Sequence, residues 1–231
     1  MKCICAAVSK DFLPGFRAMV NSITIHTKDF AETLLCLDID LKEEHRSQCR
    51  KIYPQCQFIK PDKSQYQRLP KHTRPLRNAF FKLECFKIAQ GYEQMLFIDS
   101  DIIFLDSIQE LLDTKPTSNV GLSFHTACRE YNTGLILFDK LPTIIYDKVI
   151  ELLQTMKNAH LADQTVIMTA IKKNIFSVSR LPRKWNTTKR QAKKRKGKPR
   201  NYVGLHFVGK KPWKGGEKGY EDFEELWRKY A

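Results

Sequence analysis

Two acidic pairs are the first residues in the chain whose types and spacing suggest chemistry. The apolar run Met95-Leu96-Phe97-Ile98 leads into Asp99-Ser100-Asp101, and a second apolar run ends in Asp38-Ile39-Asp40. Carboxylates at i and i+2 on extended backbone project to one side, so either pair could grip one hard divalent cation. Strand C-terminal ends are also where open α/β sheets bind their ligands. Asp-x-Asp is common by chance, and two copies leave the choice between them open. The string Leu205-His206-Phe207-Val208-Gly209-Lys210-Lys211-Pro212-Trp213 is rarer. Imidazole ligates manganese well, glycine lets backbone approach a phosphate, and lysines hold a diphosphate as point charges.

Asp99-Ser100-Asp101, Asn132-Thr133-Gly134, Asp163-Gln164 and the His206–Trp213 string follow one another in an order and spacing that resembles glycosyltransferase family 8. Phe81-Lys82-Leu83-Glu84-Cys85-Phe86 is similar to that family's Thr/Ala-Lys/Arg-Leu segment. Leu181-Pro182-Arg183-Lys184-Trp185-Asn186 is similar to its Leu-Pro-x-x-Tyr-Asn. The resemblance spans nearly the whole chain and implies a GT-A fold, a nucleotide-sugar donor (usually UDP-linked), Mn2+ or Mg2+, and transfer with retention at the anomeric carbon.

By position, the resemblance implies that Asp99, Asp101 and His206 hold the metal and that Lys82, Gly209 and Lys211 contact phosphates. Asn132, Asp163 and Gln164 would line the sugar and the reaction centre. Ala7, Ser9 and Phe12 would hold the nucleoside, Phe12 standing where the family often has a base-stacking tyrosine, and Ser100 joins the donor-binding set. Asp38 and Asp40 become a strand-end pair. Two departures stand out. The family's His-x-x-Gly-x-x-Lys-Pro-Trp is one residue shorter here, and Ser9-Lys10-Asp11-Phe12 replaces an Asp/Asn-rich nucleotide loop. Breaking a sugar–phosphate bond develops charge on the leaving diphosphate, which a cation and lysines would stabilise.

A scaffold must bring positions 7 to 211 together, and the hydropathy pattern supplies one. Apolar runs at 3–8, 33–38, 57–59, 95–98 and 120–124 are short, continuous and turn-bounded, which predicts strands buried on both faces. Helical patterns at 14–27, 41–53 and 75–89 alternate with them, so an α/β fold with a mostly parallel sheet and helices on both faces is expected. Beyond residue 125, strands are predicted at 132–138, 175–181 and 202–208, and helices at 141–157, 161–172 and 220–230. The chain is expected to form one Rossmann-like domain over 1–231, nucleotide-sugar-binding in 1–125 and acceptor-side in 126–231. His72, His125 and His160 read as surface or packing residues, and Phe80, Phe81, Phe97 and Phe104 as core. Asp106 reads as the cap of a helix at 107–112.

Composition narrows the function classes. The 231 residues are 42% hydrophobic with 10 Gly and 10 Pro, which excludes collagen-like and disordered chains and allows a sizeable core. No apolar stretch approaches the roughly 18 residues of a membrane span, and the first is too short for a signal-peptide core. The seven cysteines, without Cys-x-x-Cys spacing, read as reduced core residues of a cytoplasmic protein rather than zinc ligands. With 40 Lys+Arg against 25 Asp+Glu the net charge is +15, which predicts attraction to polyanions. Eleven of the 21 residues in 180–200 are basic and none is acidic, so a mobile loop is expected there, with an electrostatic clamp on an anionic acceptor as its role. The acidic final helix turns the expectation away from an anionic membrane surface. Three functions remain: a metal-dependent glycosyltransferase acting on a glycan or glycolipid, the same chemistry on nucleic acid such as modified-base DNA, and a non-catalytic polyanion binder. The intact Asp99, Asp101, Asp163, Gln164 and His206 favour an enzyme.

Overall fold

The computed structural model describes residues 2–28, 30, 33–71, 74–125, 130–194 and 201–231. His72, Cys128 and residues 195–200 of the basic run lie outside the described residues. The first strands are β1 (Lys2–Val8), β2 (Thr33–Asp38), β3 (Cys56–Ile59), β4 (Gln94–Ile98) and β5 (Ile102–Phe104). They are followed by β6 (Val120–His125), β7 (Glu130–Asp139), β8 (Val178–Leu181), β9 (Thr187–Thr188) and β10 (Gly204–His206). Seven strands form one sheet in the order β3-β2-β1-β4-β7-β6-β8. Its pairs are parallel except that β7 runs antiparallel to both β4 and β6. A smaller sheet, β5-β10-β9, lies at the end of β4.

Helices α1 (Leu13–His26) and α2 (Glu43–Ile52) cover one face of the large sheet; α3 (Glu84–Ala89) covers the other, with α4 (Gln109–Leu112) in the link to β6. α5 (Ile144–Thr155) and α6 (Asp163–Lys172) complete that second layer. Strand alternation divides the core between the faces. In β1, Cys3 and Cys5 pack beneath α3, α5 and α6, whereas Ile4, Ala6 and Val8 pack beneath α1 and α2. Both faces being covered is why these strands read as unbroken apolar runs. Truncating a fully buried Phe16 or Phe86 to alanine would cost about 3–5 kcal/mol. The four phenylalanines expected in the core are buried there. The six described cysteines are free and buried, and burial pushes the Cys3 thiol up to about 12. No helix among the described residues is long and apolar enough to cross a membrane.

The basic run departs from expectation. Residues 180–194 do not form a mobile loop: they continue from β8 through a 3-10 turn (Arg183–Trp185) and β9 into α7 (Lys189–Lys193). Leu181 and Trp185 are buried, and Thr188 with Gln191 forms a reciprocal capping box at the start of α7. Self-repulsion is offset by partners elsewhere in the chain. Lys184 Nζ lies 2.5 Å from Glu110, and Arg180 sits over the Phe124 ring at 4.4 Å. Lys189, fully buried, lies 2.7 Å from Glu217 and donates to the Lys210 carbonyl at 2.8 Å. Charge density within the run could not reveal those partners. A last helix, α8 (Glu221–Arg228), buries Trp227 against the small sheet. Asp106 caps only its own turn, accepting from the Ser107 amide; Ser107 Oγ accepts from the Gln109 amide at the head of α4.

Candidate active site

β4 stops at Ile98, so Asp99 and Asp101 sit in the link to β5 and not on the strand itself. The Ile102 amide donates to the Asp99 carbonyl at 3.1 Å and closes a tight turn. The carboxylates converge through that turn, not through strand alternation. The small sheet then delivers His206, which pairs opposite Ile102, while the Phe207 amide donates to the Asp101 carbonyl at 2.9 Å. His206 Nε2 stands 3.3 Å from Asp101 Oδ1, and ligand atoms of Asp99, Asp101 and His206 all lie within 4.8 Å of one another. Among the described residues no other group of three His, Cys, Asp or Glu is so placed. Asp38 instead meets Arg46 at 2.6 Å and accepts from the Leu41 amide, and Asp40 accepts from the Lys10 amide. The second acidic pair is engaged in local structure.

β7 supplies the opposite wall. Its register against β6 jumps so that Ser123 faces Asn132, leaving residues 133–135 in a bulge. Inside the bulge Asn132 Oδ1 accepts from the Gly134 amide at 2.9 Å, and the Gly134 carbonyl accepts from the Asp99 amide at 2.7 Å. Gly134 admits the His206 ring: a methyl group there would lie 2.8 Å from Nδ1 and closer still to Cε1. Lys82 is buried between the two walls, its Nζ 2.8 Å from Asp99 and 3.1 Å from Asp163, and it donates to the Thr133 carbonyl. Asp163 opens α6 directly after Ala162, whose φ of 45° is strained for a non-glycine residue. Its Oδ2 accepts from Thr133 Oγ1 at 2.9 Å, and the neighbouring Gln164 reaches Glu130 at 3.4 Å.

The electrostatics favour cations. Burial alone would lower the Lys82 pKa, but Asp163 and Asp99 outweigh it and raise the ammonium above its ordinary value. Burial also raises Asp99, opposed by Lys82 and reinforced by Asp101. For Asp101, burial is outweighed by His206 and Lys211, which hold the carboxyl below the usual carboxylate range. Lys211 donates to Asp101 Oδ2 and to the Phe207 carbonyl, so the shortened string does bring its lysine to the acidic pair. Two ammonium groups thus rest on the two carboxylates. Hard oxygens plus one imidazole at a buried corner form a donor set that suits manganese or magnesium.

One cleft of about 420 Å³ collects every site residue expected from the sequence: Asp99, Ser100, Asp101, His206, Lys82, Gly209, Lys211, Asn132, Asp163, Gln164, Ala7, Ser9 and Phe12. Ser100 Oγ donates to the Ala7 carbonyl at 2.6 Å, which ties the acidic turn to β1. The Phe12 and Trp213 rings meet in a T-shaped pair, and the Lys211 and Lys214 ammonium groups lie 5.6 and 5.7 Å from the Phe12 ring centre. His125 is buried and engaged with the Asn186 carbonyl, and His160 is exposed, as expected of packing and surface residues. The steric role of Gly134, the Thr133 contacts and the exposed Leu161 at the rim are not foreshadowed in the sequence. Thr133 and Gly134 do lie in a motif singled out there; nothing distinguishes Leu161 from a core leucine.

Residues 3–132, more than half of the chain, match the family model described as glycosyl transferase family 8. The chain belongs to that family. This glycosyltransferase is similar in structure to the galactosyltransferase LgtC, solved with donor and acceptor sugar analogs. That match has TM-score 0.76 at 16% identity and covers 99% of this chain and 96% of LgtC. GlyE of Streptococcus pneumoniae TIGR4 matches at TM-score 0.75 and 18% identity over 99% of this chain and 59% of GlyE. Mouse xyloside xylosyltransferase 1 matches at 0.59 and 12% over 90% and 97%. At such identities the likeness carries the fold, and it is the GT-A arrangement. No curated protein matches the chain in sequence.

Proposed function

We propose that this family 8 glycosyltransferase is a cation-dependent, retaining hexosyltransferase that moves sugar from a UDP-linked donor to an anionic glycan or glycolipid. The observation that carries the reading is the corner of half-buried Asp99 with buried Asp101 and His206, on whose carboxylates Lys82 and Lys211 rest. In this reading the three side chains hold Mn2+ or Mg2+. When bound, that cation would offset the charge developing on the leaving diphosphate.

The chain's own residues take the other tasks. Lys211 and the Gly209 backbone bind the diphosphate, Lys211 exchanging its carboxylate contact for phosphate oxygens. Ala7, Ser9, Phe12 and Ser100 hold the nucleoside. Asn132 has its Oδ1 engaged by Gly134 and Asn186, which leaves Nδ2 for a sugar hydroxyl. Asp163 Oδ2 is engaged by Thr133 and Lys82, so Oδ1 is the oxygen offered to the substrate, with Gln164 beside it. Retention needs no strong base if the leaving phosphate takes the acceptor proton. The same reading treats 1–231 as one domain, donor-side in 1–125 and acceptor-side in 126–231. Six free buried thiols support a reducing, cytoplasmic setting. The acceptor is assigned to the basic segment 180–200, and the +15 charge keeps nucleic acid as the rival acceptor.

A thermal-shift screen tests this. UDP-sugars should raise Tm with manganese present and not in EDTA, because the cation bridges protein and diphosphate. A shift with another nucleotide alone overturns the uridine assignment, and a cation-independent shift overturns the metal role. Mass spectrometry of glycan and duplex DNA acceptors after incubation separates the two acceptor classes.

A further inference from the structure

We propose that Asn186 is a positioning residue that sets the proton on His206 Nδ1 and, through the same amide, the orientation of Asn132. The proposal rests on the metal-site reading above for its consequence, though not for its geometry. One chain of hydrogen bonds, whose first donor is unambiguous, runs from Gly134 through Asn132 and Asn186 to His206. The Gly134 backbone N–H can only donate, and it points at Asn132 across 2.9 Å, so the atom of Asn132 facing it is the amide oxygen. Asn186 approaches that same oxygen at 2.7 Å and must present its NH2 group. The other end of the Asn186 amide is then the oxygen, and it faces His206 Nδ1 at 2.9 Å. An amide oxygen only accepts, so Nδ1 carries a hydrogen, and in the neutral ring Nε2 is the nitrogen that holds the lone pair. Nε2 is the ring nitrogen 3.3 Å from Asp101 Oδ1, at the cation corner. A histidine that ligates through one nitrogen is usually oriented by a hydrogen bond at the other.

Asn186 is itself held in place. It is fully buried, its amide donates to the Arg183 carbonyl at 3.1 Å, and its carbonyl engages His125 Nε2 at 3.0 Å. It follows Trp185, which anchors the turn in the core. One side chain therefore links the sugar-facing Asn132 to the cation-facing His206. A purely structural amide would matter for stability and not for which His206 nitrogen carries the proton.

Long-range 1H–15N correlation on metal-free protein labelled at histidine reads that proton directly, with His206→Gln identifying the resonance. At a pH where the ring is neutral, wild-type His206 should carry its proton at Nδ1; a neutral ring protonated at Nε2 would overturn the proposal without any variant. Asn186→Ala should release the Nδ1 preference and weaken manganese binding, titrated by electron paramagnetic resonance, about 10- to 100-fold. Unchanged tautomer and affinity in Asn186→Ala would likewise overturn it. Asn186→Asp keeps an acceptor for Nδ1–H but sets an oxygen against Asn132 Oδ1. It should retain the tautomer and manganese affinity while the KM for donor rises; loss of the tautomer there would contradict the assignment. If the wild type shows Nδ1–H but binds no manganese, the positioning role is supported and only the metal reading fails.

Discussion

Replacing Gly134 by alanine adds one methyl group at the seam between the Asp99–Asp101–His206 corner and the side of the cleft lined by Asn132 and Asp163. Gly134 is not at a positive φ, so the backbone tolerates alanine, and a strand position would favour it by about 0.5–1 kcal/mol. Sterics oppose that gain. The new Cβ would lie 2.8 Å from His206 Nδ1 and closer still to Cε1, where ordinary contact begins at 3.4 Å, so the ring must retreat by more than about 0.6 Å. Overpacking of this kind costs about 1–3 kcal/mol. The net loss is therefore about 0–2.5 kcal/mol, a fall in Tm of at most about 10 °C for a chain this long. Function should suffer more, since such sites tolerate displacements of only about 0.5 Å. Manganese affinity should drop by about 10- to 100-fold, and nucleoside diphosphate release should fall with it. Calorimetry beside a manganese titration reads both effects. A variant that binds manganese and turns over like wild type would refute the steric argument.

Asp38→Asn should lose about 1.5–3 kcal/mol by urea denaturation, because its bond to Arg46 is charge-assisted, yet keep the turnover of the folded enzyme. A loss of turnover matching that of Asp99→Asn would mean that the wrong acidic pair has been assigned. His125 is held below its ordinary value of 6.5 chiefly by burial, opposed by its contact with the Asn186 carbonyl. Below that pH the unfolded chain takes up a proton that the folded protein resists, so stability falls as pH drops through 6.5. Tm of His125→Gln should decline less than wild type between about pH 7 and 5; parallel curves would remove His125 as the cause. Replacing Lys193, Lys194, Arg195 and Lys196 by serine should flatten the salt dependence of polyanion binding and raise the KM for an anionic acceptor, with donor hydrolysis unchanged. Equal KM values for anionic and neutral acceptors before and after the change would end the clamp assignment.

The large sheet was legible because its strands are covered on both faces, so β1, β2 and β4 stand out as apolar runs between turn residues. β5 and β9 were not, being three and two residues long, and β5 is merged with the apolar stretch around the acidic turn. α7 was hidden inside the basic run, where partners such as Glu217 for Lys189 lie far along the chain. The site shows the same division. Residue types at Asp99, Asp101, Asn132, Asp163 and His206 form motifs that can be read in order. What Gly134 excludes and what Asn186 orients depend on a ring brought in by β10, which local spacing does not encode.

In the proposed function, sugar transfer depends on a cation held by Asp99, Asp101 and His206. Nucleoside diphosphate release from UDP-sugars, followed while manganese is titrated into EDTA-stripped enzyme, tests it most directly when wild type and Asp101→Asn are compared side by side. The wild-type rate should be negligible without cation and saturate with it, and the Asp101→Asn rate should be lower by about 10²–10³-fold at every concentration, with the circular dichroism of the fold retained. Wild-type turnover that persists in EDTA, or an Asp101→Asn enzyme with the wild-type manganese response, would contradict it.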